Sequence, residues 1–453
     1  MTAGLIYIGN IDLAPPGTAQ SDDFAVELKP RLQVVDNGPS FTGALDYTAQ
    51  GLAFKKYTNL DGVHNQGTAN GSWTVDPNLF SVDGWLAYRQ VIVDPADAPN
   101  EGNVYNVQNV ANEFTGYLAP TLHYNFGGET AMLRFAEARS SYSGADVNEA
   151  TPVSGTSTLD TTLQNSLSSI VTGKFSSDDK DAPVAWSIDG IGSLTRFTHA
   201  DSFRDDRITA QSSVRLLQSL RLVGLVGVET EVLTHAQSGG LDAGLWSAGF
   251  LWAPSADQSL EARVGHRFFG PSYSFKWSIK SRLLKLEANY SEEPTTEGLA
   301  DAEASFVPGQ IPTDQQSLAY TGVLRAVNSY DTYIAKEGDL QVTLTGTRTL
   351  MTLRAYTLKR DYLVSTDSRQ TVNGGEFTLE RDLNPRDVIG LKARLDDSSL
   401  FGNSSYRDRR YEANFTHHIT RKTALALQAV RLTRDGSQVF RSSLCVLTIR
   451  TSF

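Results

Sequence analysis

Over most of this chain, apolar and polar residues alternate at every second position, the period of a β-strand and not of a helix. Phe24, Val26, Leu28, Leu32 and Val34 alternate with Glu27, Lys29, Arg31 and Gln33. Phe41, Gly43, Leu45 and Tyr47 carry the next run, after the tight turn Asp36-Asn37-Gly38-Pro39. Phe80, Val82, Leu86 and Tyr88 share a face within 79–91, and Phe114, Leu118, Leu122, Tyr124 and Phe126 share one before Gly127-Gly128. At the chain's end Cys445, Leu447, Ile449 and Phe453 fall on one face with Thr451. Ser442, Thr448, Arg450 and Ser452 take the other, with Leu444 and Val446. A half-polar strand that stops on an aromatic is expected of the closing strand of an outer-membrane barrel. A soluble sandwich strand that happens to end on Phe is the alternative.

Spacing decides between them. Short turns fall near 127–128, 177–182, 219, 253–257, 281–282, 347–348, 383–385 and 420. Longer connections fall near 143–160, 201–205, 234–240, 294–332, 363–369 and 398–406, with the tight Gly270-Pro271 corner as an exception. Short turns on one rim and longer loops on the other predict an all-β fold, a single transmembrane antiparallel β-barrel over 1–453. About 22 strands are expected (range roughly 18 to 24), with no plug domain. The first strand starts at Leu5-Ile6-Tyr7 and is expected to end by Pro15-Pro16-Gly17. Pro30 and Pro120 fall inside strand-like runs and call for bulges or strand ends.

Composition is compatible with this. The chain has 453 residues and no Pro-rich, Gly/Ser-rich or charge-run linker that would divide it. It is 40% hydrophobic with a mean hydropathy of -0.27, and it lacks the long apolar run of a spanning helix. A barrel tolerates low hydropathy because only alternate residues face lipid. A β-propeller is disfavoured because its blades use shorter strands and the six Trp follow no repeat frame. The net charge of -11 argues against a nucleic-acid partner. The single cysteine, Cys445, reads as a small hydrophobe. MTAGLIYIGN lacks the basic start and apolar core of a secretory leader, as expected of a mature form with an added Met.

The phase of the strands assigns an inner face. With Leu260, Ala262, Val264, Tyr273, Phe275, Trp277, Leu284 and Leu286 outward, Glu261, Arg263, Arg267, Lys276, Lys285 and Glu287 line the lumen. The same phase places Arg354, Glu376, Glu380, Lys392, Arg394, Arg410 and Glu412 inside. Each Lys or Arg on the lipid face at the midplane would cost about 2–4 kcal/mol, so the phase is strongly determined. Eight bases against five acids make this wall basic, which predicts a preference for anions. A charge ladder that only stiffens the wall is the alternative.

Catalytic chemistry is not expected. G-x-S-x-G, H-E-x-x-H, the P-loop and Cys/His metal spacings are absent from the sequence, so no enzyme site, metal or cofactor is expected. His417 and His418 are neighbours on a strand and point to opposite faces. Glu292-Glu293, Glu297, Asp301 and Glu303 are placed in the longest loop, as solvated acids or as a site for cations bridging lipopolysaccharide.

Three stretches resemble a known family. Tyr7-x-x-Asn10-x-x-Leu13 with Asp23-Phe24 and Leu28-x-Pro30 is one. Gly265-His266-Arg267-Phe268-Phe269-Gly270-Pro271-Ser272-Tyr273 is the second, and the strand ending at Phe453 is the third. They look like the outer-membrane β-barrels found beside exosortase/PEP-CTERM systems, within the β-barrel porin type 2 group. Gly9 stands where that family usually has Asp. The resemblance implies a location in the bacterial outer membrane and contact with lipid and lipopolysaccharide. It further implies Phe453 as a signal to the barrel-assembly machinery, and a link to exopolysaccharide export with periplasmic partner proteins. A general diffusion porin for small anionic solutes and a non-conducting surface scaffold remain open. Gating is expected from inward-folded loops, with 294–332 the longest.

Overall fold

The alternation resolves into strands that hydrogen-bond only to their neighbours around the sheet. The computed structural model describes residues 1–93, 97, 100–105, 109–144, 163–177, 182–198, 200, 202–233, 241–296, 299, 332–363, 369–400, 405–436 and 438–452. β1 (Thr2–Gly9) pairs with β2 (Asp23–Lys29), and β2 and β3 (Arg31–Asn37) lie end to end along β4 (Phe41–Phe54). Each later strand is antiparallel to the one before it. They are β5 (Gly62–Asp76), β6 (Phe80–Ile92), β7 (Val110–Asn125), β8 (Glu129–Ser143), β9 (Ser166–Ser177) and β10 (Val184–Phe197). Next come β11 (Phe203–Leu217), β12 (Leu220–Leu233), β13 (Leu241–Ser255), β14 (Gln258–Arg267), β15 (Gly270–Lys280) and β16 (Leu284–Thr296). The remainder are β17 (Thr332–Thr345), β18 (Thr349–Tyr362), β19 (Arg369–Asp382), β20 (Asp387–Ser399), β21 (Ser405–His418), β22 (Thr423–Gly436) and β23 (Phe440–Thr451). β23 returns to β1, with Thr2 opposite Arg450 and Gly9 opposite Ser443, and the sheet closes. Because β2 and β3 share one stave, the 23 segments make a 22-stranded barrel, and closure leaves no edge exposed.

The two prolines act differently from a bulge. Leu28 stands opposite Gly51 and Arg31 opposite Thr48, so the register does not shift across Pro30. Pro30 has no N–H and breaks the strand there, yet its carbonyl still accepts from Ala49 N at 3.2 Å. Pro120 stays within β7 opposite Val82, while the ladder to β8 skips from Leu118–Glu137 to Thr121–Arg134 in unchanged register. β1 also ends earlier than the sequence suggests, at Gly9, because Asn10 turns into the left-handed region (φ 58).

The barrel is apolar outside and polar inside. Phe24, Val26, Leu28, Leu32 and Val34 are exposed on one continuous stripe across Pro30. Arg434, Gln370, Glu113 and Glu229 are among the largest fully buried side chains, the reverse of a soluble core. In β23, Cys445, Leu447 and Ile449 face outward while Ser442, Leu444 and Thr448 are buried. Phe453 lies outside the described residues. Aromatics gather outward at the short-turn rim, where Phe126, Phe175 and Trp186 meet edge-on at 6.1 and 5.2 Å. Such a girdle suits the membrane–water boundary.

The wall is not round. Glu293 of β16 accepts from Arg207 Nη1 of β11 at 3.3 Å, although five strand spacings separate them, about 24 Å of wall at ~4.8 Å each. On the inner side of the bend, Gly227, Gly249 and Gly265 sit on three consecutive strands. A Cβ at these positions would come within 2.3, 2.0 and 2.2 Å of backbone carbonyls, so only glycine allows the strands to crowd here. Beyond β16, Leu299 is buried against Ala119, Ala136 and Ile170 of β7 to β9, at the same pinched end.

Candidate functional site

The cross-strand register joins the thirteen charged positions into one face. Opposite residues of an antiparallel pair share a face. Glu261 stands opposite Lys276, Arg354 opposite Glu376, Glu376 opposite Arg394, Arg394 opposite Arg410, and Lys392 opposite Glu412. Arg263 and Arg267 follow Glu261 in phase, Lys285 and Glu287 follow Asn289 opposite Lys276, and Glu380 follows Glu376. Contacts with a loop inside the barrel make this the inner face, as given below.

Most of these residues are paired. Arg263 donates to Glu261 at 2.6 Å and to Gln211 at 2.7 Å. Lys285 pairs with Glu287 at 2.8 Å, Lys392 with Glu376 at 3.2 Å, and Arg410 with Glu412 at 2.7 Å. Arg354 donates to Asp339 and Arg394 to Asp396, which also accepts from the Tyr356 hydroxyl. Lys276 and Glu380 share the face without an ion pair among the described residues.

The expected basic excess disappears in the structure. On β14 to β21 the register adds Lys280 and Arg360 to the bases, giving ten. It adds Glu293, Glu337, Asp339, Asp382, Asp396 and Asp408 to the acids, giving eleven. The sequence count missed these because their strands' phases had not been set against each other.

Arg267 anchors the bend. Its Nε and Nη2 both donate to Glu229 Oε2, at 3.0 and 2.8 Å, and its Nη1 donates to Glu293 at 2.7 Å. Glu229 also accepts from Phe268 N at 2.9 Å, so the acid fixes the tight β14–β15 corner where Gly270 adopts φ 107. Glu292 and Glu293 therefore belong to β16 and are engaged, not solvated in a loop; Glu292 accepts from Tyr290 Oη at 2.6 Å and Tyr273 N at 3.2 Å. Glu297, Asp301, Glu303 and nearly all of the 294–332 connection lie outside the described residues. The bend encloses a concavity of about 380 Å³ lined by Asp189, Arg207, Thr209, Ser247, Arg263, Arg267, Ser272 and Glu293 among others. Ile191, Leu225, Leu245, Trp246, Val264 and Tyr273 also line it, so its surface mixes charged and hydroxyl groups with apolar ones.

A different loop enters the lumen. In the β6–β7 connection, Glu101 pairs with Arg410 at 3.0 Å, Gly102 O accepts from Gln50 Nε2 at 3.0 Å, and Asn103 donates to Gln50 Oε1 at 2.9 Å. Val104 and Tyr105 are buried among Ile6, Ile8, Leu432 and Leu444. Tyr105 Oη donates to Ser443 O at 3.4 Å and accepts from Ser442. Burial pushes this hydroxyl well above its ordinary pKa, so it stays protonated. Arg434, buried over the Tyr406 ring at 3.9 Å, holds Asp408 through two 2.7 Å bonds and donates to Asp97 O at 2.5 Å. One short segment thus bridges β1, β4 and β21 to β23. Its composition carries no such signal, because the clamp exists only once the barrel closes.

The residues behind the family resemblance have structural roles here. Asn10 donates to Ala14 O and Arg441 O, both at 2.9 Å, and pins the β1–β2 connection to β23. Asp23 is fully buried and accepts from Lys56 N and Tyr57 N at 3.0 Å each. His417 meets Asp387 at 2.6 Å on the outer face, away from His418.

No family model and no curated protein matches this chain. Among solved structures it is similar to the siderophore receptor PirA from Acinetobacter baumannii, with a TM-score of 0.52 and 8% identity over 100% of this chain and 80% of that one. The ferric-catecholate import receptor Fiu from E. coli K12 aligns over 98% of this chain and 81% of its own, with a TM-score of 0.48 and 8% identity. The FrpB iron transporter from Neisseria meningitidis aligns over 99% and 81%, with a TM-score of 0.48 and 10% identity. At 8% identity the likeness to PirA is one of fold, and by fold this chain is a large outer-membrane-type β-barrel.

Proposed function

We propose that this barrel sits in the bacterial outer membrane and passes hydrophilic solutes through its lumen. The observation that carries the reading is the continuous charged inner face, held in register across β14 to β21 behind an apolar exterior. With ten bases facing eleven acids, the path discriminates weakly between ions and suits neutral, hydrated or zwitterionic solutes. A narrower form, export of an exopolysaccharide with periplasmic partners, is proposed on the ground of the family resemblance alone. PirA is a siderophore receptor, and a shared fold at 8% identity does not extend that role to this chain. Recognition of the terminal strand by the assembly machinery is proposed on the same resemblance, and no catalytic role is assigned.

Planar-bilayer conductance tests the reading. The wild-type barrel should conduct with little ion selectivity, and Arg354→Gln with Arg394→Gln should shift it toward cations. A folded barrel that carries no current would favour the scaffold.

A further inference from the structure

The outer surface treats its two rims differently. At the short-turn rim the outward side chains are aromatic, including Trp73, Phe126, Phe175 and Trp186. At the long-loop rim of β21 to β23 they include Arg407, Arg409, Arg431 and Arg441, with Asp397 of β20 paired to Arg407 at 2.6 Å and Asp435 to Arg409. The register lays them out in rows. Leu5, Leu447, Leu427 and Phe415 form one apolar row, and Tyr7, Cys445, Ala429 and Ala413 form the next. Above these, Arg431 lies between Tyr411 and Ser443, and one row higher Arg409, Thr433 and Arg441 stand side by side.

Arg409 is beside Leu395, so the apolar belt on β20 reaches the height of these arginines. Arg431 is level with Ala393 and Tyr411, inside the belt's upper edge. It is exposed, and its Nη1 donates to the Ser443 hydroxyl at 2.6 Å. Arg441 is exposed too, and neither has a carboxylate partner among the described residues. Arg409 shares Asp435 at 2.8 Å. An unneutralised guanidinium at the hydrocarbon edge is costly unless it snorkels to an anion. Adjacent strands are ~5 Å apart and alternate residues along a strand ~7 Å, so the three arginines start from backbone positions within about 10 Å of one another, close enough for their long side chains to reach a common group. Arginine forks match phosphate oxygens. A similar row, Arg139–Leu167–Arg196, lies outward on β8 to β10 at the same rim.

We infer that Arg409, Arg431 and Arg441 form a site for the phosphate groups of a lipid A headgroup in the outer leaflet. The inference rests on the outer-membrane reading, which puts the long loops outside.

The test compares wild type, an Arg409→Gln/Arg431→Gln/Arg441→Gln variant and the corresponding triple Lys variant in phosphate-free detergent. Each is titrated with lipid A and with dephosphorylated lipid A, and bound lipid is read by native mass spectrometry. Wild type and the Lys variant should bind lipid A, the Gln variant roughly a hundredfold more weakly, and none should favour the dephosphorylated form. Unchanged affinity in the Gln variant, or equal binding of dephosphorylated lipid A, overturns the site. Displacement of lipid A by millimolar inorganic phosphate overturns the lipid headgroup as its ligand. Gel mobility without heating reports barrel folding separately. A folded Gln variant that keeps lipid A sinks the site alone, whereas a wild type that stays folded and monomeric without detergent sinks the membrane reading.

Discussion

Arg207 and Glu293 touch at 3.3 Å from strands five places apart, and the barrel is pinched where they meet. Two long side chains can bridge such a gap only if the wall between them folds back. Replacing both with Cys in a Cys445→Ser background should allow a short bis-maleimide to join β11 to β16, seen as a shifted gel band. A folded barrel that does not cross-link would not be pinched between β11 and β16.

The bend depends on a buried charge pair. Arg267 and Glu229 are nearly inaccessible, with side chains 9% and 0% exposed. Glu229→Gln leaves the exposed Glu293 as the guanidinium's remaining ion-pair carboxylate among the described residues, and should lower unfolding stability in detergent by about 3 kcal/mol. Lys285→Gln breaks a pair that is 50% and 45% exposed, and should change it by less than about 0.5 kcal/mol. Equal effects on the denaturation midpoint would contradict the anchoring role of Arg267.

The β6–β7 segment narrows the lumen through Gln50, Arg410 and the Tyr105 cluster. Tyr105→Ala with Asn103→Ala should loosen it. Single-channel currents should then rise or fluctuate, with the barrel still heat-modifiable. Unaltered currents would place the segment off the solute path.

Cys445 faces outward between Ala429 and Tyr7 in the apolar belt. In lipid vesicles it should react with a membrane-soluble maleimide and resist a charged one. Rapid labelling by the charged reagent would move the belt away from β23.

The sequence by itself determined the strand period, the short-and-long alternation of connections, a count of about 22 staves within a range of roughly 18 to 24, and the apolar and polar faces of the charged strands in its second half. These are local properties: side chains alternate every residue, and a charge facing lipid is too costly to leave the phase ambiguous. Only the tertiary structure decided that Pro30 and Pro120 interrupt ladders without moving the register. It also decided that Asp339, Asp396 and Asp408 balance the basic wall, because register across strands, not along them, sets which charges meet. The pinch at Arg207 and Glu293 was written as glycines at 227, 249 and 265, but their meaning needs the three strands side by side. The clamp of Tyr105 onto Ser442 joins residues 337 positions apart, a contact that only closure of the barrel by β1 and β23 creates.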